Sequence, residues 1–213
     1  MTPDRKAAWL LGLGIVAAVA TIGVVGCKTK DAAEQPARKV INKNSAGSTM
    51  KLSSQAFSNG GAIPQKHTGE GSDTSPPLAW SGAPSGTKSF ALICDDPDAP
   101  SAKHPGPQPW VHWVIYNIPA SVGELPEGVA RDAELQAPVG ARQGRNSWPS
   151  DNVGYLGPMP PPGSGPHRYF FKLYALDKEL SLDAHRADKP ALLAEMKGHV
   201  LAEAEWMGTY ERL

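Results

Sequence analysis

SFALICDDPDAPSAKHPGPQPWVHWVIYNI, residues 89–118, is the stretch whose reading decides the fold. It opens with the run SFALIC (89–94) and closes with VHWVIYNI (111–118), and prolines and glycines crowd the segment between them. Runs this short, rich in β-branched and aromatic residues and flanked by Pro and Gly, read as strands rather than helices. A third run of the same kind, YFFKLYAL, occupies 169–176, and a weaker strand candidate covers 50–57. One helix is predicted: Asp188 caps, Pro190 sits early, and Leu192, Leu193 and Met196 form a stripe that ends before Gly198. The tail HVLAEAEWMGTYER is ambiguous, because Ala and Glu favour helix while Val200, Ala202, Ala204 and Trp206 alternate as a strand would. Together these elements predict a mainly β domain with a few short helices.

Composition narrows the function classes. The chain has 213 residues, with 21 basic and 21 acidic side chains, so no global basic field recruits nucleic acid. Gly (22) and Pro (21) make the chain loop-rich, well short of a low-complexity polymer. Two cysteines build no disulfide framework, and no Cys/His spacing reads as a zinc site. No cofactor is expected.

The N-terminus reads as an address. Arg5 and Lys6 precede an uncharged apolar run, 7–26, that ends in Val24-Val25-Gly26-Cys27. A positive n-region, an apolar segment and small residues at the cut describe an export signal. The last four residues resemble a bacterial lipobox, which makes Cys27 the lipidated mature N-terminus. The alternative is an uncleaved membrane anchor, since a run of about twenty apolar residues can span a bilayer. Either way the domain is expected in the cell envelope, facing the periplasm or exterior. Lys28, rather than an acidic residue, favours the outer membrane in a Gram-negative cell by analogy with lipoprotein sorting. The expected organisation is a signal peptide (1–26), a lipidated Cys with a flexible polar tether (27–48) and a folded domain (49–213).

Three segments concentrate chemistry. Asp95-Asp96-Pro97-Asp98-Ala99-Pro100 follows the first strand, where prolines fix φ and hold carboxylates rigidly; the bland alternative is an acidic turn. In the second, alternation places Trp110, His112 and Val114 on one face, and a core histidine with one satisfied hydrogen bond is the competing reading of His112. The third, 154–166, packs five prolines and four glycines into one loop ahead of His167, Arg168 and Tyr169. Glycines there admit close backbone approach, and N–H groups near Gly163 and Gly165 suit an anion-binding nest; a structural turn, with a cis-proline, is the alternative. His167 and Tyr169 share one strand face and Arg168 takes the other, pairing with a carboxylate.

SPPLAWSGAPSGTKSFALICDDPDAP, WVHWVIYNIPA, RQGRNSWPSDNVGYLGPMPPPGSGPHRYFFKLYALD and GHVLAEAEWMGTYER occur in that order. Together they resemble the phosphatidylethanolamine-binding protein family, in its bacterial, Raf kinase inhibitor-like branch. The resemblance implies a central antiparallel β-sheet packed on a smaller sheet, and makes the tail a strand. It also implies a small anion pocket built from Asp96, Asp98, Trp110, His112, Pro160, Pro161, His167 and Tyr169. In that pocket, two imidazoles and backbone N–H groups would hold a phosphate, with the carboxylates orienting the imidazoles and favouring their protonated form. Met159 stands where many bacterial relatives carry Cys, and no Cys lies near 68–69 to pair with Cys94. Asp95 has no implied role, Trp80 and Trp148 read as packing residues, and the other histidines as surface or structural.

The leading functional expectation is a binding protein, not an enzyme, for a phosphate-bearing small molecule or phospholipid headgroup. It would sit at the membrane through its N-terminal lipid, with a homodimer or an envelope protein partner left open. The alternatives are an inhibitor that binds an envelope protease or other enzyme, and, less favoured, a metal-dependent hydrolase. No G-x-S-x-G, H-E-x-x-H or P-loop string is present, and Ser164 sits on no recognisable nucleophile elbow.

Overall fold

Strand β3, Ser89–Asp96, is buried along its whole length because both of its faces and both of its edges are covered. In the computed structural model, which describes residues 50–149 and 152–213, it lies at the centre of a five-stranded antiparallel sheet. The signal-like segment, Cys27 and the tether fall outside the described residues. In chain order the strands are β1 (Lys51–Ser53), β2 (Leu78–Ser81), β3, β4 (Trp110–Pro119), β5 (Glu124–Leu125), β6 (Arg142–Gln143), β7 (His167–Leu176) and β8 (Val200–Tyr210). The large sheet runs β6-β4-β3-β7-β8 and a smaller one runs β1-β2-β5. Among the described residues the helical structure is one α-helix, α1 (Lys189–Met196), and one 3-10 turn (Gln65–His67).

The period of two along β3 divides the core. Phe90, Leu92 and Cys94 face the small sheet and pack with Leu52, Leu78, Trp80, Trp113 and Phe171, whereas Ala91 and Ile93 face the other way, with Val114, Tyr116, Leu192 and Met196. Helix α1 therefore closes the second face of the sheet. It begins where expected: Asp188 accepts a hydrogen bond from the Ala191 N–H at 2.9 Å, and Pro190 occupies the first turn. The predicted stripe is narrower than expected, since Leu192 and Met196 are buried but Leu193 is 41% exposed.

Other boundaries also shift. The weak strand at 50–57 contracts to β1, and β2, β5 and β6 were not singled out by the sequence. The tail is a strand, with Ala202, Ala204, Trp206 and Tyr210 packed on the core. A register shift between Ala175 and Leu176 leaves Val200 outside that alternation and exposed.

Candidate functional site

In an antiparallel sheet the end of one strand lies beside the starts of its neighbours. The end of β3 thus meets the starts of β4 and β7, with Asp96 opposite Trp110. A cavity of about 500 Å³ opens there, and Asp96, Trp110, His112, Pro160, Pro161, His167 and Tyr169 all line it. Seven of the eight residues predicted for the pocket are brought together. Asp98 is not among them.

A β-bulge aims His112. Cys94 pairs with Trp113 and Asp95 with Val111, so one step on β3 spans two on β4 and His112 is the extra residue. The bulge also corrects the expected alternation: Trp110 and His112 line the cavity, but Val114 points to the helix side. The His112 ring is 2% exposed. Its Nδ1–H donates to the Leu156 carbonyl at 2.6 Å, and the ring stands T-shaped to those of Trp148 and Tyr169, each at 5.0 Å between centroids. Burial pushes its pKa down to about 4, against a smaller upward pull from the Leu156 carbonyl. His112 is therefore neutral at pH 7, which corrects the expectation of two carboxylate-supported imidazoliums.

His167 has the carboxylate that His112 lacks. Its Nδ1 lies 2.7 Å from Asp96 Oδ2 and its Nε2 lies 3.0 Å from Ser164 Oγ. Ser164 also donates to the Pro161 carbonyl at 2.7 Å. The second Asp96 oxygen accepts the Asp98 N–H at 2.7 Å. Burial raises the Asp96 pKa, and the His167 hydrogen bond partly offsets the rise.

Asp98 serves a different partner. Its carboxylate takes the Arg168 guanidinium in a two-pronged contact, Nε at 2.9 Å and Nη2 at 2.8 Å, and accepts the Arg168 N–H as well. That hydrogen bonding lowers the Asp98 pKa. The pair locks the Asp-Pro-Asp turn onto β7, and Arg168 occupies the sheet face opposite His167, as the strand period requires. Asp95, fully buried on the helix side, gains a role: it bridges Lys172 at 2.9 Å and Lys189 at the start of α1.

Two of the N–H groups in the expected backbone nest are engaged elsewhere. The Gly163 N–H donates to the Arg212 carbonyl and the Ser164 N–H to the Pro161 carbonyl, so both are spent within the main chain. The cis peptides join Ala99 to Pro100 and Ala137 to Pro138, not residues of the 154–166 loop. Cys94 is a free, buried thiol, and burial pushes its pKa up. Met159, 44% exposed, lines the cavity with Trp148. Trp148 is the site residue that sequence reasoning misplaced. It packs edge-on against Trp110 at 5.4 Å, and an aromatic inside a Gly/Pro-flanked loop was its only signal. Trp80, by contrast, is a core residue of β2 as expected. Among the described residues no three His, Cys, Asp or Glu side chains converge as a metal site would require.

The family model for phosphatidylethanolamine-binding protein matches residues 53–211, nearly all of the described part of the chain. The chain belongs to the phosphatidylethanolamine-binding protein family. A protein of Methanothermobacter thermautotrophicus, named UPF0098 protein, is 49% identical over 163 residues, which are 76% of this chain and 99% of that one. A UPF0098 protein of Aquifex aeolicus is 42% identical over 170 residues, 79% of this chain and 92% of its own. Among solved structures, a homologue from Chlamydia trachomatis superposes with a TM-score of 0.66 at 42% identity, covering 78% of this chain and 99% of that one. Escherichia coli YbcL, described as a member of the mammalian family, gives 0.68 at 36% identity, covering 77% and 99%. Family membership agrees with the two antiparallel sheets of the fold.

Proposed function

We propose that this member of the phosphatidylethanolamine-binding protein family is a binding protein whose cavity takes a phosphate-bearing small molecule or headgroup. The Tyr169 hydroxyl carries this reading. The side chain lines the cavity and is 1% exposed, yet its hydroxyl has no hydrogen-bond partner among the described residues. An unmet buried hydroxyl costs about 1–3 kcal/mol, a cost that a bound oxygen acceptor removes. The walls formed by Trp110, Trp148, Met159 and Pro161 suit an apolar portion attached to that acceptor. We further propose that lipidated Cys27 holds the domain at the cell envelope.

Calorimetric titration with inorganic phosphate at pH 6 tests the reading, with Tyr169→Phe as the partner experiment. Tyr169→Phe should bind phosphate at least about tenfold more weakly, while the unliganded protein becomes as stable or about 1 kcal/mol more stable. Equal affinity in the two proteins refutes the role given to the hydroxyl.

A further inference from the structure

Strand β8 has two edges, and the outer one is covered only in part. The inner edge pairs with β7 in unbroken register from Tyr210 back to Ala202. On the outer edge, the segment 59–63 lies parallel to the last residues of β8. Met207 donates its N–H to the Asn59 side chain and accepts from the Gly60 N–H, and Thr209 donates to the Gly61 carbonyl and accepts from the Ile63 N–H. Backbone groups of a strand point alternately to its two edges, so those of Glu203 and Glu205 face the same way as those of Met207 and Thr209. Among the described residues, however, the N–H and C=O groups of Glu203 and Glu205 have no hydrogen-bond partner. This edge is a template of two donors and two acceptors for one further strand.

The side chains beside it carry a sign. Glu203 and Glu205 share one face of the sheet, are exposed and make no ion pair among the described residues. On β7, Tyr174 stands opposite Glu203 and Lys172 opposite Glu205, and these side chains line a shallow groove of about 370 Å³. The Lys172 ammonium is turned instead to buried Asp95, at 2.9 Å. The Tyr174 hydroxyl registers the resulting field: burial raises its pKa to about 12, and Glu203, Asp95 and Glu205 add to the rise. Two unpaired carboxylates beside an aromatic ring suit the apolar stem and cationic head of a lysine or arginine.

We propose that the free edge of β8 docks an extended segment of a protein partner, added as a strand, with basic residues at alternate positions. Charge complementarity selects that occupant. Directly opposed residues of an antiparallel pair share a face. Lysines two apart on the incoming strand therefore stand against Glu203 and Glu205 while the main chains exchange hydrogen bonds. A second copy of this chain is a poor occupant. Antiparallel pairing centred on Ala204 sets Glu203 of one copy against Glu205 of the other, and like charges directly opposed are destabilising. The acidic pair that keeps β8 from pairing with itself thus admits a basic strand. The groove shares no lining residue with the cavity at the ends of β3, β4 and β7, and the inference does not rest on anion binding.

The test is amide hydrogen exchange read by NMR on the full chain. The probe is an N-acetylated, C-amidated peptide of sequence Thr-Lys-Val-Lys-Val-Thr, and its counterpart has both lysines replaced by glutamate. At saturating lysine peptide, exchange at the Glu203 and Glu205 N–H groups should slow at least about tenfold. The double variant Glu203→Gln/Glu205→Gln keeps both exposed side chains polar and of the same size, and it should bind the lysine peptide about fivefold more weakly. The glutamate peptide should bind at least about tenfold more weakly than the lysine peptide. Binding that leaves both amides exchanging as in the free protein overturns strand addition, and equal affinity for the two peptides overturns the charge selection. Protection of both amides that rises with protein concentration, without peptide, makes a second copy the occupant and overturns the proposal. So does an absence of lysine-peptide binding at millimolar concentration.

Discussion

Replacing His112 with Asn should flatten the acid sensitivity of this protein by a predictable amount. The unfolded chain takes up the imidazole proton near pH 6.5 and the folded protein only near pH 4, because the ring is buried on the bulge of β4 without a carboxylate partner. Between those values the unfolded state binds more protons, so stability falls as the solution is acidified. Integrating that difference from pH 8 to pH 4.5 gives a loss of about 2.5 kcal/mol assignable to this one side chain. The substituted amide retains a donor for the Leu156 carbonyl and does not titrate. Asp96, raised by burial, and Asp98, lowered by Arg168, are present in both proteins and cancel in the comparison. The assay is urea unfolding followed by tryptophan fluorescence at pH 8 and pH 4.5. With a slope of about 2 kcal/mol/M, the acid-induced drop in midpoint should be about 1 M smaller in the variant. Parallel drops in the two proteins refute the assignment of a neutral, desolvated His112, whatever the variant costs at pH 8.

Asp95→Asn should lower stability by about 3 kcal/mol, because it leaves Lys172 and Lys189 facing a partner without charge beneath α1. Its phosphate affinity should be unchanged, since Asp95 faces the helix and not the cavity; a urea melt and a phosphate titration read the two effects separately. Cys27→Ala should abolish incorporation of labelled fatty acid and shift the protein out of the membrane fraction or leave it unprocessed. Unchanged attachment with no change in size removes the lipid assignment.

Much of the fold was legible because its determinants are local. The strands at 89–94, 111–118 and 169–176 announce themselves through apolar runs between Pro and Gly, and the helix through Asp188 and Pro190. The short strands β2, β5 and β6 carry too few residues for a period to register. Val114 and Leu193 mark where periodicity misleads: a single inserted residue on β4 reverses the faces beyond it, and α1 buries a narrower stripe than its sequence offers.

The site divides in the same way. Its residue types and their order along the chain, DPDAP, then WVHW, then GPMPPPG ahead of HRY, are linear information, and they brought Asp96, His112, His167 and Tyr169 into one reading. The partners of those residues are not linear information. Asp96 and Asp98 stand two apart in the same turn, yet one faces His167 inside the cavity and the other Arg168 outside it. The two histidines look alike in sequence, but only the folded chain gives one a carboxylate and the other a carbonyl 44 residues away. Sequence determines which groups arrive at the strand ends through short-range periodicity and turn chemistry. Whether each arrives charged, paired or free to meet a ligand depends on burial and on neighbours distant in the chain, and those exist only once the sheets have packed.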